Sequence, residues 1–284
     1  MVTLSCPVRG CTRALERLER TLRCEVGHSH DLTRRGYVNL LQPQDKKSLD
    51  PGDRREAVEA RRRTAEAGRT RELITALGDV LAPWFSSGGA LLDVGAGDGF
   101  ILDALASRLG AEGIGVDLSR EAIDLAARSY PKLGWVIANG DRRLPFMDGS
   151  FRALVTVTGP KNAAEYWRLL EPNGVLIVAV SGPDDQAELR ELVLGAAHVA
   201  DRSGRMLELF GEQFDWVETR EARQVEVLDK AALRDLLDGA YRGVRHGARQ
   251  RFDAVDTMPV TLSHSLVVFK PRKLTAPASP PLSR

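Results

Sequence analysis

The chain has 284 residues and a formal net charge of +1, with 43% hydrophobic and 28% charged residues. That composition is ordinary for a globular protein and long enough for one large or two smaller cores. No apolar run approaches the roughly 20 residues of a membrane span, and the N-terminus lacks the charged-then-apolar pattern of a signal peptide, so a cytoplasmic protein with no membrane partner is expected. The near-neutral total hides an uneven spread: residues 1–75 hold 16 Lys/Arg against 11 Asp/Glu, and the remainder 24 against 28. The N-terminal excess suits either solvated helix faces or contact with a polyanion.

All three cysteines, Cys6, Cys11 and Cys24, fall in the first 24 residues. An odd count argues against a disulfide framework and prompts a search for a fourth ligand. His28 supplies it, because Cys6-x4-Cys11 and Cys24-x3-His28 form two chelating pairs separated by twelve residues. Three soft thiolates with one imidazole favour Zn2+, and four protein ligands make a closed, structural site. His30 is the alternative fourth ligand, at the cost of a wider loop. So short a segment has almost no core of its own, so the metal would supply most of its folding energy.

Residues 31–53 read as a strand and loop leading to a very basic helix that carries Arg54, Arg55, Arg61, Arg62 and Arg63. Beside a zinc module, and with Tyr37 and Asn39 expected to be exposed, these arginines fit contact with RNA phosphates and bases. They fit a plain solvated helix equally well. A second helix is expected from Thr70 to about Leu81.

From there the pattern alternates. Strands are expected near 90–94, 113–117, 134–138, 151–157 and 174–180, and helices near 98–109, 119–129, 161–171 and 185–199. Regular strand–helix alternation implies an α/β fold, a parallel sheet with helices on both faces. After residue 200 the order is a helical segment, a strand near 216–226, a helix near 229–238 and a strand near 259–269. The last two strands are expected to close one sheet edge. Residues 271–284, rich in Pro and Ser, read as a disordered tail.

The stretch Ala90-Leu91-Leu92-Asp93-Val94-Gly95-Ala96-Gly97-Asp98-Gly99 joins a buried strand to a glycine turn and a helix start. Glycines let backbone approach a ligand, and the helix N-terminus offers free N–H groups. Asp117 ends the next strand, 24 residues after Asp93, where a carboxylate can accept from both ribose hydroxyls of a nucleoside. Alternatively it helps start the following helix. Asp141, after the third strand, can receive the exocyclic amine of adenine. Phe100 stands where a dinucleotide fingerprint has its last glycine, and Asp98 would repel a pyrophosphate but suit a sulfonium or an ammonium. S-adenosylmethionine is the expected ligand, held by Asp93, Gly95, Gly97, Asp98, Gly99, Asp117, Leu118 and Asp141.

With these residues in place, the chain resembles the zinc-containing 23S rRNA (guanine-N1)-methyltransferases, a family that includes macrolide-resistance enzymes. The most specific matches are Cys6, Cys11, Cys24 and His28, then Gly36-Tyr37-Val38-Asn39-Leu40-Leu41, Asp50-Pro51-Gly52-Asp53, Ala60-Arg61-Arg62 and Leu144-Pro145-Phe146. The resemblance implies a class I methyltransferase (Rossmann-like) sheet preceded by a small zinc-binding domain that recognises a 23S rRNA hairpin, and a homodimer. The corresponding boundaries are a zinc domain over 1–45, a basic helical linker over 46–88, a methyltransferase domain over 89–270 and a tail over 271–284. Thr70 stands where the family has a donor-contacting tyrosine, and Asp185 where it has a donor-holding histidine, which adds both to the expected donor site. Guanine N1 carries a proton that a base must take, and Asp98, Lys161 and Asp185 are the candidates near strand ends. The alternatives are a methyltransferase for another RNA site or a small molecule, and a non-catalytic RNA-binding relative that keeps the donor fold.

Overall fold

A computed structural model describes residues 2–45, 52–195, 202–240 and 251–273. Its main sheet has eight strands in the order β10-β11-β9-β8-β5-β6-β7-β4. These are β4 (Val38–Asn39), β5 (Ala90–Val94), β6 (Glu112–Asp117), β7 (Gly134–Ile137), β8 (Phe151–Val157), β9 (Leu170–Ser181), β10 (Phe214–Asp229) and β11 (Thr257–Pro271). Strands β4 through β9 run parallel to their neighbours. β11 pairs antiparallel with β9, and β10 with β11, forming the expected closing pair.

The central strands β5, β8 and β9 are apolar on both faces, as a parallel sheet covered on each side requires. Leu92, Val94, Leu154, Leu176 and Val178 point into one core, while Leu91, Ala153, Val155, Val175 and Ile177 point into the other. The second core is covered by α2 (Arg71–Leu81), α3 (Phe100–Leu109) and α4 (Arg120–Ser129). The first is covered by α5 (Ala163–Leu169), α7 (Arg202–Phe210) and the N-terminal segment. α1 (Arg55–Glu66), α6 (Ala187–Leu194) and α8 (Lys230–Ala240) stand over the C-terminal edge of the sheet. Among the described residues, no helix is long and apolar enough to cross a membrane.

Most expected elements coincide with these within a few residues. β9 starts earlier than expected, taking in Leu170–Asn173, so α5 stops at Leu169. The end of the helix expected over 185–199 and most of the tail expected over 271–284 lie outside the described residues, as do 46–51 of the linker.

The N-terminal segment is a three-stranded antiparallel sheet of β1 (Glu16–Leu18), β2 (Thr21–Arg23) and β3 (Ser29–Asp31). Two turns carry the ligands. In the first, the Cys11 N–H donates to Val8 O at 2.9 Å, and in the second the Gly27 N–H donates to Cys24 O at 2.9 Å with Gly27 at φ +94°. The ligand atoms of Cys6, Cys11, Cys24 and His28 all lie within 4.8 Å of one another. Cys11 Sγ to Cys24 Sγ is 3.8 Å, and His28 Nδ1 is 3.4 and 3.5 Å from Cys6 Sγ and Cys24 Sγ. A tetrahedral zinc with Zn–S near 2.3 Å and Zn–N near 2.0–2.1 Å has edges of roughly 3.8 and 3.5 Å. The donor set therefore fits zinc, and it is His28, not His30, that completes it.

This module is fused to the main sheet. β4 extends the sheet by pairing with β7, the Ser5 N–H donates to Pro145 O at 2.9 Å, and Leu4 bridges to Phe146. Glu165 and Arg168 hold that docking strip, with Glu165 accepting from Leu144 N at 2.6 Å and Arg168 donating to Phe146 O at 2.9 Å. Cys6, Leu15, Leu22 and Cys24 consequently share one core with Phe146, Phe151 and Tyr166. Cys24→Ser is expected to abolish binding of one zinc per chain, read by elemental analysis, and to lower the melting temperature of the whole chain. A wild-type protein purified without zinc, and unaffected by chelators, would contradict the site.

Candidate active site

The C-terminal ends of β5 to β9 open into one cavity of about 900 Å3. This is the edge of a parallel sheet at which α/β folds bind ligands. Its walls are formed by α1 (Arg61), the N-cap of α2 (Thr70), α6 (Arg190), α8 (Leu236) and β11 (His264), with α1 and α8 joined by the Arg61–Gly239 O hydrogen bond.

The glycine turn is bent back over β6. The Gly95 and Ala96 N–H groups both donate to Val116 O, at 2.8 and 3.0 Å. Asp117 then clamps the turn, because Oδ2 accepts from Gly97 N at 2.9 Å and Oδ1 from Ser119 N at 2.7 Å. The helix cap itself is Ser119, whose Oγ accepts from Ala122 N at 3.2 Å. Gly97 has φ +56° and open space where a Cβ would stand, which leaves its backbone facing the cavity. Gly99 has a different task. A Cβ there would meet the Trp135 ring at 2.3 Å, and the residue is the N-cap of α3, away from the cavity wall.

Asp93, Gly95, Gly97, Asp98, Asp117, Leu118, Asp141, Thr70 and Asp185 all line this cavity. Lys161 is not among the lining residues; its ammonium donates to Gly159 O on the cavity wall, and burial lowers its pKa beside the charges of Arg202 and Asp141. Of nine buried side-chain polar atoms without a hydrogen-bond partner among the described residues, seven belong to cavity residues. At the glycine-turn end these are Thr70 Oγ1, Asp93 Oδ1 and Asp98 Oδ2, the last lying 3.5 Å from Arg62 Nη1.

Burial of acids without enough partners raises their pKa. Asp93 is pushed up to about 7 by burial, and by the charges of Asp117 and Asp98. Asp117 is also raised by burial, although the Ser119 and Gly97 N–H groups oppose this. Burial raises Asp98 against the Phe100 N–H and the Arg62 and Arg61 charges. A cavity end with three buried carboxyls and exposed glycine backbone suits a ligand that brings positive charge and hydroxyls. S-adenosylmethionine, with its sulfonium, ammonium and ribose, fits that set.

The residues expected to meet RNA are placed differently. Tyr37 is 4% exposed and belongs to the apolar core that holds Trp135 and Ile137 of β7, so the expectation of an exposed ring is corrected. Only the aliphatic positions around it suggested burial, and an aromatic in a Gly-Tyr-Val-Asn run reads either way. Asn39 is exposed. Arg61 donates to Gly239 O at 2.9 Å and pairs with Asp53 at 2.7 Å. Arg62 bonds Glu66 and Ser129 and covers the Tyr130 ring, and Arg63 holds Asp235. Arg55 pairs with Glu121 at 2.8 Å, and Arg54 stands exposed before the helix. Helix α1 thus spends most of its arginines on α8, α4 and the cavity rim.

Sequence reasoning passed over Gln186, Arg190 and His264, all on the cavity wall. Burial lowers the pKa of His264 and the Asp185 charge opposes it. The signal was available only in part: Arg190 follows Gln186 by one helical turn, but nothing in the sequence places β11 beside that helix.

The comparisons with known proteins divide the chain in the same way. The family model described as "RlmA, N-terminal" matches residues 4–49, and that of a methyltransferase domain matches residues 91–174. A 23S rRNA (guanine(748)-N(1))-methyltransferase from Streptomyces fradiae is 34% identical over 81% of this chain and 81% of its own length. A relative from Micromonospora griseorubida, provisionally named a 23S rRNA (guanine-N1)-methyltransferase, is 33% identical over 66% of this chain and 68% of its own length. In fold, a provisionally named methyltransferase from Bacillus halodurans C-125 superposes with a TM-score of 0.51 at 15% identity, covering 69% of this chain and 97% of that one. A zinc ribbon, a methyl-donor fold and a relative matched over most of its length establish that this chain belongs to the 23S rRNA (guanine-N1)-methyltransferase family and is an S-adenosylmethionine-dependent methyltransferase.

Proposed function

We propose that this chain methylates N1 of a guanine in a 23S rRNA hairpin, in the cytoplasm. The observation that carries the proposal is a carboxyl-lined cavity in a sheet whose apolar core is shared with a zinc ribbon that presents basic residues. Arg9, Arg17, Arg20, Arg23 and Arg34 are exposed on or beside the ribbon and provide the phosphate-binding surface that α1 largely does not. Residues 1–45 are then the RNA-recognition domain, 46–88 the helical linker and 89–270 the transfer domain. The homodimer implied by the family would join two such basic surfaces.

On the donor side, the Asp117 oxygens retain lone pairs for ribose hydroxyls beyond the two N–H groups they accept. Gly95, Gly97 and Leu118 offer backbone, Asp141 lies on the adenine side, and Asp93, Asp98 and Thr70 hold the charged end, with Asp185 lining the cavity as well. When bound, the donor supplies an electrophilic methyl group on a positively charged sulfur. The chain's own work is to position the acceptor, exclude water and receive a proton.

Guanine N1 must lose its proton as the new N–C bond forms. The Lys161 ammonium is spent on Gly159 O, and Asp98 is opposed by Arg62. Asp185 Oδ1 already accepts from Ser263 N at 3.1 Å. His264, neutral at pH 7 because burial lowers its pKa, has a lone pair to take the proton, and Asp185 beside it stabilises the resulting cation.

Two measurements test this reading. Incubating the protein with methyl-labelled donor and undermethylated 23S rRNA, then mapping the label, is expected to find it at N1 of one hairpin guanine. Donor binding with no transfer to 23S rRNA, or label on another atom, would contradict the assignment. His264→Asn is expected to lower kcat about 100-fold with donor affinity unchanged by calorimetry, whereas an unaltered kcat would remove His264 from the mechanism.

A further inference from the structure

The part of the cavity wall formed at the start of α6 carries its own set of polar atoms without partners among the described residues. Gln186 Oε1, Arg190 Nε and Arg190 Nη2 are buried and have no hydrogen-bond partner among the described residues. Both residues line the cavity, and they stand i and i+4 at the start of α6, with the Arg190 N–H donating to Gln186 O at 2.9 Å. Gln186 is the residue just before α6 and Arg190 lies in its first turn, so both reach the cavity from the same end of the helix. Leu194, a further turn along the helix, also lines the cavity and is 61% exposed.

The helix bearing these groups is pinned at both ends. Glu188 accepts from Thr261 N and Oγ1 at 3.0 and 2.7 Å, Asp184 from Ser263 Oγ at 2.6 Å, and Asp185 from Ser263 N at 3.1 Å. At the other end, Arg251 donates to Leu192 O and Val193 O at 2.7 and 2.8 Å. Gln186 itself sits at φ +52°, a left-handed conformation that a non-glycine residue keeps only where its surroundings impose it. Asp184, Asp185 and Glu188 thus anchor the start of the helix to β11, and Gln186 Oε1 and the Arg190 atoms on the cavity wall are left without partners among the described residues. Buried polar groups held rigidly and unpaired are arranged for a ligand that pairs them.

An acceptor beside a guanidinium selects among ligands. A phosphate accepts from Arg190 but offers no donor to Gln186 Oε1. Adenine would turn its amine donor toward the Arg190 donors. Guanine presents an acceptor, O6, and a donor amine, N2, on either side of N1. In the sheet order, β9 and β11 lie across β8 from the glycine turn on β5, so α6 faces a base set next to the donor's charged end. We propose that Gln186 and Arg190 read the Watson–Crick edge of the target base, Arg190 donating to O6 and Gln186 Oε1 accepting from the N2 amine. The donation to O6 also stabilises negative charge that develops there as N1 loses its proton. This inference rests on the guanine-N1 reading above.

The test uses full-length protein and synthetic RNA hairpins that carry guanosine or inosine at the mapped target, with kcat/KM measured for each. Inosine keeps O6 and N1–H but lacks the N2 amine. The wild type is expected to prefer guanosine by about tenfold, the value of one buried hydrogen bond. Gln186→Asn, which tolerates the left-handed backbone but falls short of the base, is expected to bring the ratio near one. Gln186→Glu, which keeps the acceptor at the same reach, should retain the preference. Arg190→Gln should lower kcat/KM on both RNAs alike while leaving donor affinity unchanged. A guanosine preference that survives Gln186→Asn, or an Arg190→Gln variant with wild-type kcat/KM, would overturn this assignment alone. Wild-type protein that methylates neither base at N1 would overturn the guanine reading and this inference with it.

Discussion

Buried negative charge is the constraint around which this molecule is arranged. Asp93 and Asp117 end adjacent strands, Asp98 sits in the turn between Asp93 and the helix α3, and all three face one cavity. Asp117 is satisfied in part by the Gly97 and Ser119 N–H groups, and that arrangement both shapes the glycine turn and fixes the start of α4. Among the described residues Asp93 Oδ1 finds no hydrogen-bond donor, and Asp98 Oδ2 has only the Arg62 guanidinium 3.5 Å away. Leaving such groups unpaired is costly in a low-dielectric site, and a cationic ligand removes that cost. The fold is incomplete in the place where the donor's charge would complete it.

The same economy governs the arginines. Their number in α1 suited either a phosphate-binding helix or a plain solvated one. In three dimensions Arg61, Arg62 and Arg63 reach acids and carbonyls of other elements, so the helix closes the cavity against α8 and α4. The arginines of the zinc ribbon stay exposed. Because the ribbon shares its core with Phe146 and Phe151 and adds β4 to the sheet, anything that binds the ribbon is held in fixed relation to the cavity.

Much of this was legible in the sequence because it rests on local pattern. The alternation of short apolar runs with helical spacing located β5 to β8 to within a residue or two, and the three cysteines with His28 define a metal site by chemistry alone. The glycine turn and the carboxylates at strand ends likewise follow from position along a strand. What stayed hidden depends on packing between distant segments. Tyr37 was read as exposed because its burial requires β4 to pair with β7, almost 100 residues away. Gly99 was grouped with the ligand-facing glycines, yet its conformation serves contact with Trp135. Gln186, Arg190 and His264 come together only because β11 returns antiparallel to β9, a topology that gives no local signature in the residues themselves.

The central physical claim concerns charge, and proton exchange reports on it directly. With its pKa pushed up to about 7 by burial and by its acidic neighbours, Asp93 is largely protonated below neutrality in the empty protein. A cation bound beside it favours the carboxylate, so binding must release the proton. S-adenosylmethionine binding can be followed by calorimetry near pH 6 and near pH 8.5 in buffers of different ionisation enthalpy. Release of a large fraction of one proton near pH 6, fading by about pH 8.5, with affinity rising between them, is the expected result. Binding of equal affinity at both pH values with no proton exchange would contradict it.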